Sequence, residues 1–117
     1  VFVGVNAGLN HLIRPMLYNA YHHILNISNT QGPERIYTIV GYICETDTFA
    51  WDRKLREVKE GDILAFQNAG AYGFTMASNY NSRLRPAEVL IHKGADHLIR
   101  EAESLEDILR LQKEIEL

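Results

Sequence analysis

The chain has 117 residues, 46% of them hydrophobic, a formal charge of -3 and a single cysteine, the make-up of one globular domain built round one core. The charge is scattered, no run of Lys and Arg offers a footprint for a nucleic-acid backbone, and no stretch approaches the roughly 18 consecutive apolar residues of a membrane span, so nucleic acid and membrane are poor partners. The opening VFVGVNAG lacks the regions of a signal peptide and Cys44 has no second cysteine to pair with, so a reducing, cytoplasmic setting is expected.

In chain order, VFVGV is short, β-branched and aromatic and is followed by the turn residues NAGLN, which predicts a strand and a tight turn. An abrupt start on a strand points to an upstream domain that runs into these residues. Leu9, Leu12, Ile13, Met16 and Leu17 follow helical spacing, and Pro15 makes that helix short or kinked. HHILNIS and RIYTIVGYICE read as two strands flanking SNTQGPE, whose Gly-Pro pair predicts a turn and hence a hairpin. Phe49 to Val58 is mixed and charged and predicts no element, whereas KEGD reads as a turn and ILAF as a strand.

NAGAYGFTMASNYNSR, with its Gly, Ala, Ser and Asn and interleaved aromatics, has no clean periodicity and is expected to be an irregular loop. PAEVLIHKGADHLIR predicts two short strands across a Lys-Gly turn. A helix closes the chain: Ser104 and Asp107 have capping-box spacing, and Leu105, Ile108, Leu109, Leu111, Gln112 and Ile115 make one largely apolar face. The expected fold is mostly β, a barrel or sandwich of Greek-key-like form with a short N-terminal helix and a C-terminal helix. A domain of this size buries only about two-thirds of its unfolded surface, which leaves scope for a partner surface to stabilise it.

Cys44 and Glu45 lie together where a strand leaves the sheet, a place where side chains meet ligands. A thiol tuned by its surroundings exchanges a proton near neutral pH, and a neighbouring carboxylate holds an ammonium group. The competing reading is a buried small residue beside a solvated carboxylate. Arg14 and Tyr18, four apart, share a helix face and together could grip a carboxylate, the guanidinium by a forked pair of bonds. Equally, they fit an exposed Arg beside a half-buried Tyr. In GAYGFTM two glycines flank Ala71 and Tyr72, which would push the aromatic ring outward; the alternative packs Tyr72 and Tyr80 on the sheet. His11, His22, His23, His92 and His97 lack metal-ligand spacing, so no metal is expected. Neither a phosphate-binding glycine motif nor a serine nucleophile elbow is present.

Three stretches in this order, FVGVNAGLNHLIRPMLYNAYHHI, ICETD and GDILAFQNAGAYGFTMASNYNSRLRPAEVLI, resemble the C-terminal region of diaminopimelate decarboxylases, and the resemblance covers nearly the whole chain. The related ornithine and arginine decarboxylases usually carry Cys-Asp where this chain has Cys44-Glu45. The resemblance implies a two-domain enzyme in which an N-terminal barrel holds pyridoxal phosphate on a lysine and a C-terminal β-domain, residues 1–117 here, completes the site in a homodimer. It implies that Arg14 and Tyr18 bind the distal carboxylate of meso-diaminopimelate and that Glu45 holds the distal ammonium. Cys44 would deliver, across the dimer interface, the proton that replaces departing carbon dioxide, leaving L-lysine, and Tyr72 would touch substrate and cofactor. Thr46 departs from the serine usual after Cys-Glu. Lys54, Lys59, Lys93 and Lys113 lie in no context like that of the family's cofactor lysine, so the chain alone is expected to be inactive. A sister decarboxylase of another basic amino acid or a carboxylated polyamine, and a non-catalytic β-domain scaffold, are the competing readings.

Overall fold

The computed structural model describes residues 1–117 and runs through β1 (Phe2–Gly4), α1 (Arg14–Tyr18), β2 (Ile24–Asn26), β3 (Glu34–Val40), β4 (Thr48–Arg56), β5 (Leu64–Phe66), α2 (Gly73–Met76), a 3-10 turn (Tyr80–Ser82), β6 (Glu88–His92), β7 (Ala95–Arg100) and α3 (Leu105–Leu109). The strands form three sheets in the orders β1-β3-β4, β2-β5 and β6-β7. The fold is therefore mostly sheet with few helices, as expected, and no single ladder closes on itself. The chain divides into two compact units, Val1–Ala77 and Ser78–Leu117.

In the first unit β3 is the central strand, parallel to β1 (Phe2 against Thr38) and antiparallel to β4 (Glu34 against Arg56). Flanked on both edges, it buries Tyr37, Thr38 and Ile39 in succession, the pattern of a strand covered on both faces. Ile39, 0% exposed, joins Leu12, Ile24, Tyr37, Phe49, Ala50 and Leu55 in one core. Phe66 of β5 meets Phe49 of β4 edge-on at 4.9 Å between ring centres, so the β2-β5 sheet shares the core of the larger one.

Two expectations fail here for identifiable reasons. The segments around β2 and β3 do not pair as a hairpin: β2 pairs antiparallel with β5, Ile24 against Phe66. Buried Asn26 turns the chain instead, its Oδ1 accepting the Ser28 and Asn29 backbone N–H groups and its Nδ2 donating to the Glu57 carbonyl and the Asp62 carboxylate. These bonds satisfy a buried amide and tie the 26–32 loop to the 57–62 turn. The longest strand, Thr48–Arg56, runs through the mixed and charged stretch Phe49 to Val58, where no element was expected. Tyr37 pairs with Arg53 but Ile39 with Ala50, so Thr38 faces both Trp51 and Asp52 in a β-bulge, and Asp52 sits at φ 47° with its N–H directed at Thr38 Oγ1. A bulge breaks the two-residue period by which a strand is recognised.

The first helix is shorter than Leu9–Tyr18. Gly8 to Leu12 form a turn, with His11 N–H and Leu12 N–H donating to the Gly8 carbonyl. Pro15, lacking an N–H, is admitted only in the first helical turn. Asn19 ends α1 in the left-handed region.

In the second unit the predicted hairpin is present, with Lys93 and Gly94 both at positive φ between His92 and Ala95, as a two-residue primed turn requires. Glu103 closes its base: the carboxylate accepts from the Arg85 backbone N–H at 2.8 Å, the Arg85 guanidinium at 2.7 Å and Asn79 Nδ2 at 2.6 Å. The capping box also forms, Asp107 N–H on Ser104 Oγ and Ser104 N–H on Asp107 Oδ2. The helix nevertheless stops at Leu109, short of the expected apolar face through Ile115, and Leu105, Leu109, Leu111 and Ile115 are exposed. Five residues are too few for a helix to sustain itself without packing.

Candidate active site

Arg14 opens α1 and Tyr18 closes it. Arg14 is half-buried, its Nε has no hydrogen-bond partner, and its guanidinium carbon lies 5.6 Å from the centre of the Tyr72 ring. A buried guanidinium N–H without an acceptor is costly, and a forked anion is the group that would satisfy it best. The Tyr72 face contributes a cation-π attraction and leaves the donors available. Tyr18 is exposed, one helical turn along from Arg14.

Tyr72 is 62% exposed, so the ring does turn outward and does not pack on the sheet; Tyr80 is exposed as well. The cause differs from the expected one. Neither Gly70 nor Gly73 has a positive φ, whereas Tyr72 itself stands at φ 62°, ψ 6°, at the N-cap of α2. An aromatic residue in the left-handed region is strained and is held there by its surroundings. The segment is also less irregular than expected, carrying α2 and the 3-10 turn.

Cys44 and Glu45 lie in the bend between β3 and β4, beyond the end of β3 at Val40. Both are exposed, and the Cys44 thiol points its proton at Glu45 Oε2, 3.4 Å away. The reading of Cys44 as a buried packing residue is therefore set aside. Thr46 beside them is exposed too.

Sequence reasoning passed over the residue that shapes this bend. Asp47, 6% exposed, accepts the Leu9 N–H on Oδ1 at 2.6 Å and the Ile43 N–H on Oδ2 at 2.8 Å, while its backbone carbonyl accepts the Gly41 N–H at 2.7 Å. Tyr42 N–H donates to the Ala7 carbonyl and Tyr42 OH to Asn10 Oδ1. The turn that leads into α1, with Arg14 and Tyr18, is thereby bonded to the bend that carries Cys44 and Glu45. The available signal was the residue type alone, an aspartate between Thr46 and Thr48 in a turn, of a kind that takes up backbone N–H groups.

The family model described as "Pyridoxal-dependent decarboxylase, C-terminal sheet domain" matches residues 1–70. The diaminopimelate decarboxylase of Methanothermobacter thermautotrophicus is 50% identical over 95% of this chain and 26% of its own length. Two solved structures of diaminopimelate decarboxylase from M. jannaschii superpose on it. One has a TM-score of 0.91 at 42% identity over 97% of this chain and 26% of that one. The other, in co-complex with L-lysine, has a TM-score of 0.87 at 44% identity over 92% of this chain and 25% of that one. The chain thus spans about a quarter of the length of the relatives it matches.

Proposed function

The chain belongs to the pyridoxal-dependent decarboxylases, through their C-terminal sheet domain, and from that premise we propose that it is the second domain of a diaminopimelate decarboxylase, converting meso-2,6-diaminopimelate to L-lysine and carbon dioxide. The rest of the parent protein would supply an N-terminal barrel with the cofactor lysine, and two copies would form a homodimer whose interface completes each site. In that assembly the two sheets of the first unit, which share the Phe49–Phe66 core contact, form the barrel-like or sandwich-like, Greek-key body of the domain. A cytoplasmic setting accords with the lysine-forming reaction proposed.

The observation that carries this reading is the buried, unpartnered Nε of Arg14 beneath the exposed Tyr72 ring. A substrate with a second carboxylate would satisfy it, with Tyr18 adding one more hydrogen bond. Glu45 would take the distal ammonium, so a zwitterionic far end is read by a cation and an anion together. A substrate lacking that carboxylate would leave the Arg14 N–H unpaired, a penalty that discriminates strongly.

Pyridoxal phosphate, when bound, supplies the electron sink for loss of carbon dioxide. The residues present fit only one edge of it. Tyr72 offers an exposed ring and hydroxyl, while Lys54 is engaged with Glu34 at 2.7 Å on the sheet; this reading assigns the main attachment to the proposed barrel. Cys44 would hold a proton at Sγ and deliver it to the carbon that carried the lost carboxylate, with Glu45 beside it setting the local potential.

The test is the full-length parent protein assayed with meso-diaminopimelate, L-lysine and L-ornithine, as wild type and as Cys44→Ala. Carbon dioxide release from diaminopimelate alone, with turnover lost in Cys44→Ala, is expected. Equal release from ornithine would transfer the protein to a sister decarboxylase. Unchanged turnover in Cys44→Ala would remove the proton-donor role, and no release from any of the three would leave a binding domain.

A further inference from the structure

Asp47 has both carboxylate oxygens committed to backbone N–H groups from two separate segments, Leu9 at 2.6 Å and Ile43 at 2.8 Å, and its own carbonyl takes a third from Gly41 at 2.7 Å. It lies three residues beyond Cys44 and is 6% exposed, whereas Cys44, Glu45 and Thr46 between them are exposed. The bend is therefore anchored at Gly41, Ile43 and Asp47 and projects its reactive residues from that anchor.

The packing round the carboxylate leaves it one place to go. A Cβ built on Gly41 would collide with Asp47 Oδ2 and come within 2.7 Å of the Ala7 carbonyl, and one built on Gly8 would lie 2.7 Å from Ile43 Cγ1 and 3.2 Å from Asp47 Oδ2. Glycine fits both positions because the two turns touch, through the aspartate at Gly41 and chiefly through the Ile43 side chain at Gly8. An ionised carboxylate is acceptor-only and presents both oxygens to N–H donors. Asparagine has the same shape but one acceptor oxygen, so its NH2 group would be thrust against either Leu9 N–H or Ile43 N–H.

Resting on the function proposed above, we infer that Asp47 is the positioning residue of the decarboxylation site: it sets the bend so that Cys44 Sγ and Glu45 face the substrate across the proposed dimer interface, and it acts without touching substrate itself. Proton delivery from a misplaced thiol slows first, because displacement of a reacting group by about 1 Å costs on the order of a hundredfold in rate.

The experiment uses the full-length enzyme as wild type, Asp47→Asn, Gly41→Ala and Cys44→Ala, with kcat measured per folded site in water and in heavy water. Expected for Asp47→Asn and Gly41→Ala alike is a fall in kcat of about a hundredfold with a larger solvent isotope effect on kcat, since proton delivery then limits turnover. A variant that is only less stable changes the amount of folded enzyme and leaves the isotope effect alone. If Cys44→Ala keeps full turnover, the proton-donor reading fails. If Cys44→Ala loses turnover while Asp47→Asn and Gly41→Ala keep the wild-type kcat and isotope effect, the positioning role alone fails. Loss of fold in both Asp47→Asn and Gly41→Ala would assign Asp47 to the stability of the domain and overturn the inference equally.

Discussion

Arg14 and Tyr72, 58 positions apart by their numbering, meet as a guanidinium 5.6 Å from a ring centre, with Arg14 Nε buried and unpartnered. On the function proposed above, Arg14→Ala in the full-length parent protein is expected to lower kcat/KM for diaminopimelate by about a hundredfold, the loss of roughly 3 kcal/mol from a charge-assisted pair. Arg14→Lys keeps the charge and loses the fork, so it should stay at least about tenfold below wild type. Steady-state kinetics on the three proteins decide this, and a fully active Arg14→Lys would rule out forked recognition.

The left-handed backbone of Tyr72 at φ 62° separates two roles of one residue. Tyr72→Gly and Tyr72→Ala both remove the ring and are expected to lose activity to the same extent. Glycine accepts that conformation without strain, whereas alanine keeps the clash, so the glycine variant should be the more stable of the two by about 1 kcal/mol. Urea unfolding of both variants measures the difference; equal midpoints would mean the loop relaxes to another conformation once the ring is gone.

In the hairpin unit the Arg85 backbone N–H, ahead of the Asn79 amide and the Arg85 guanidinium, holds the Glu103 carboxyl below the ordinary glutamate value of 4.5, against burial, which raises it. A carboxylate with a lowered folded pKa contributes stability that is complete above its unfolded value and is lost as pH falls through the folded one. Protection of the β6-β7 amides, their hydrogen exchange measured against the intrinsic rate at each pH, should therefore fall on acidification below pH 4.5. Glu103→Gln should be destabilised by about 1–2 kcal/mol above that pH and show a flatter dependence below it. Parallel pH profiles for the two proteins would count against the stitch.

Ile39 at the centre of the main sheet is 0% exposed. Ile39→Ala should destabilise the first unit by about 2–5 kcal/mol through lost burial and an unfilled cavity, while Ile63→Ala, on an exposed side chain, should stay within about 0.5 kcal/mol. Chemical denaturation followed by Trp51 fluorescence reads both.

What could be read from the residues divides along local and non-local lines. The Lys93-Gly94 turn, the Ser104–Asp107 cap and the short Pro15 helix rest on rules that operate within a few residues, and all three are present. The partner of β2 depends on where the Asn26 side chain bonds, 31 and 36 residues away, and β4 was hidden by its bulge at Asp52. At the site, Arg14, Tyr18, Cys44, Glu45 and Tyr72 stood out by residue type and motif. The Arg14–Tyr72 contact and the Asp47 bonds to Leu9 and Ile43 did not, because they join segments with no periodicity in common. Asp47 itself carries no mark of its burial until the fold encloses it.

The parallel pairing of β1 with β3, Phe2 beside Thr38, has a kinetic corollary. The β3-β4 pair is closed by a short bend and can nucleate early, whereas β1 must wait for a long loop to close before any of its bonds form. Substitutions that weaken the Tyr37–Arg53 register of β3-β4 should slow refolding. Substitutions at Val3 of β1 should leave the refolding rate nearly unchanged and hasten unfolding, making the first strand the gate through which the native state is left.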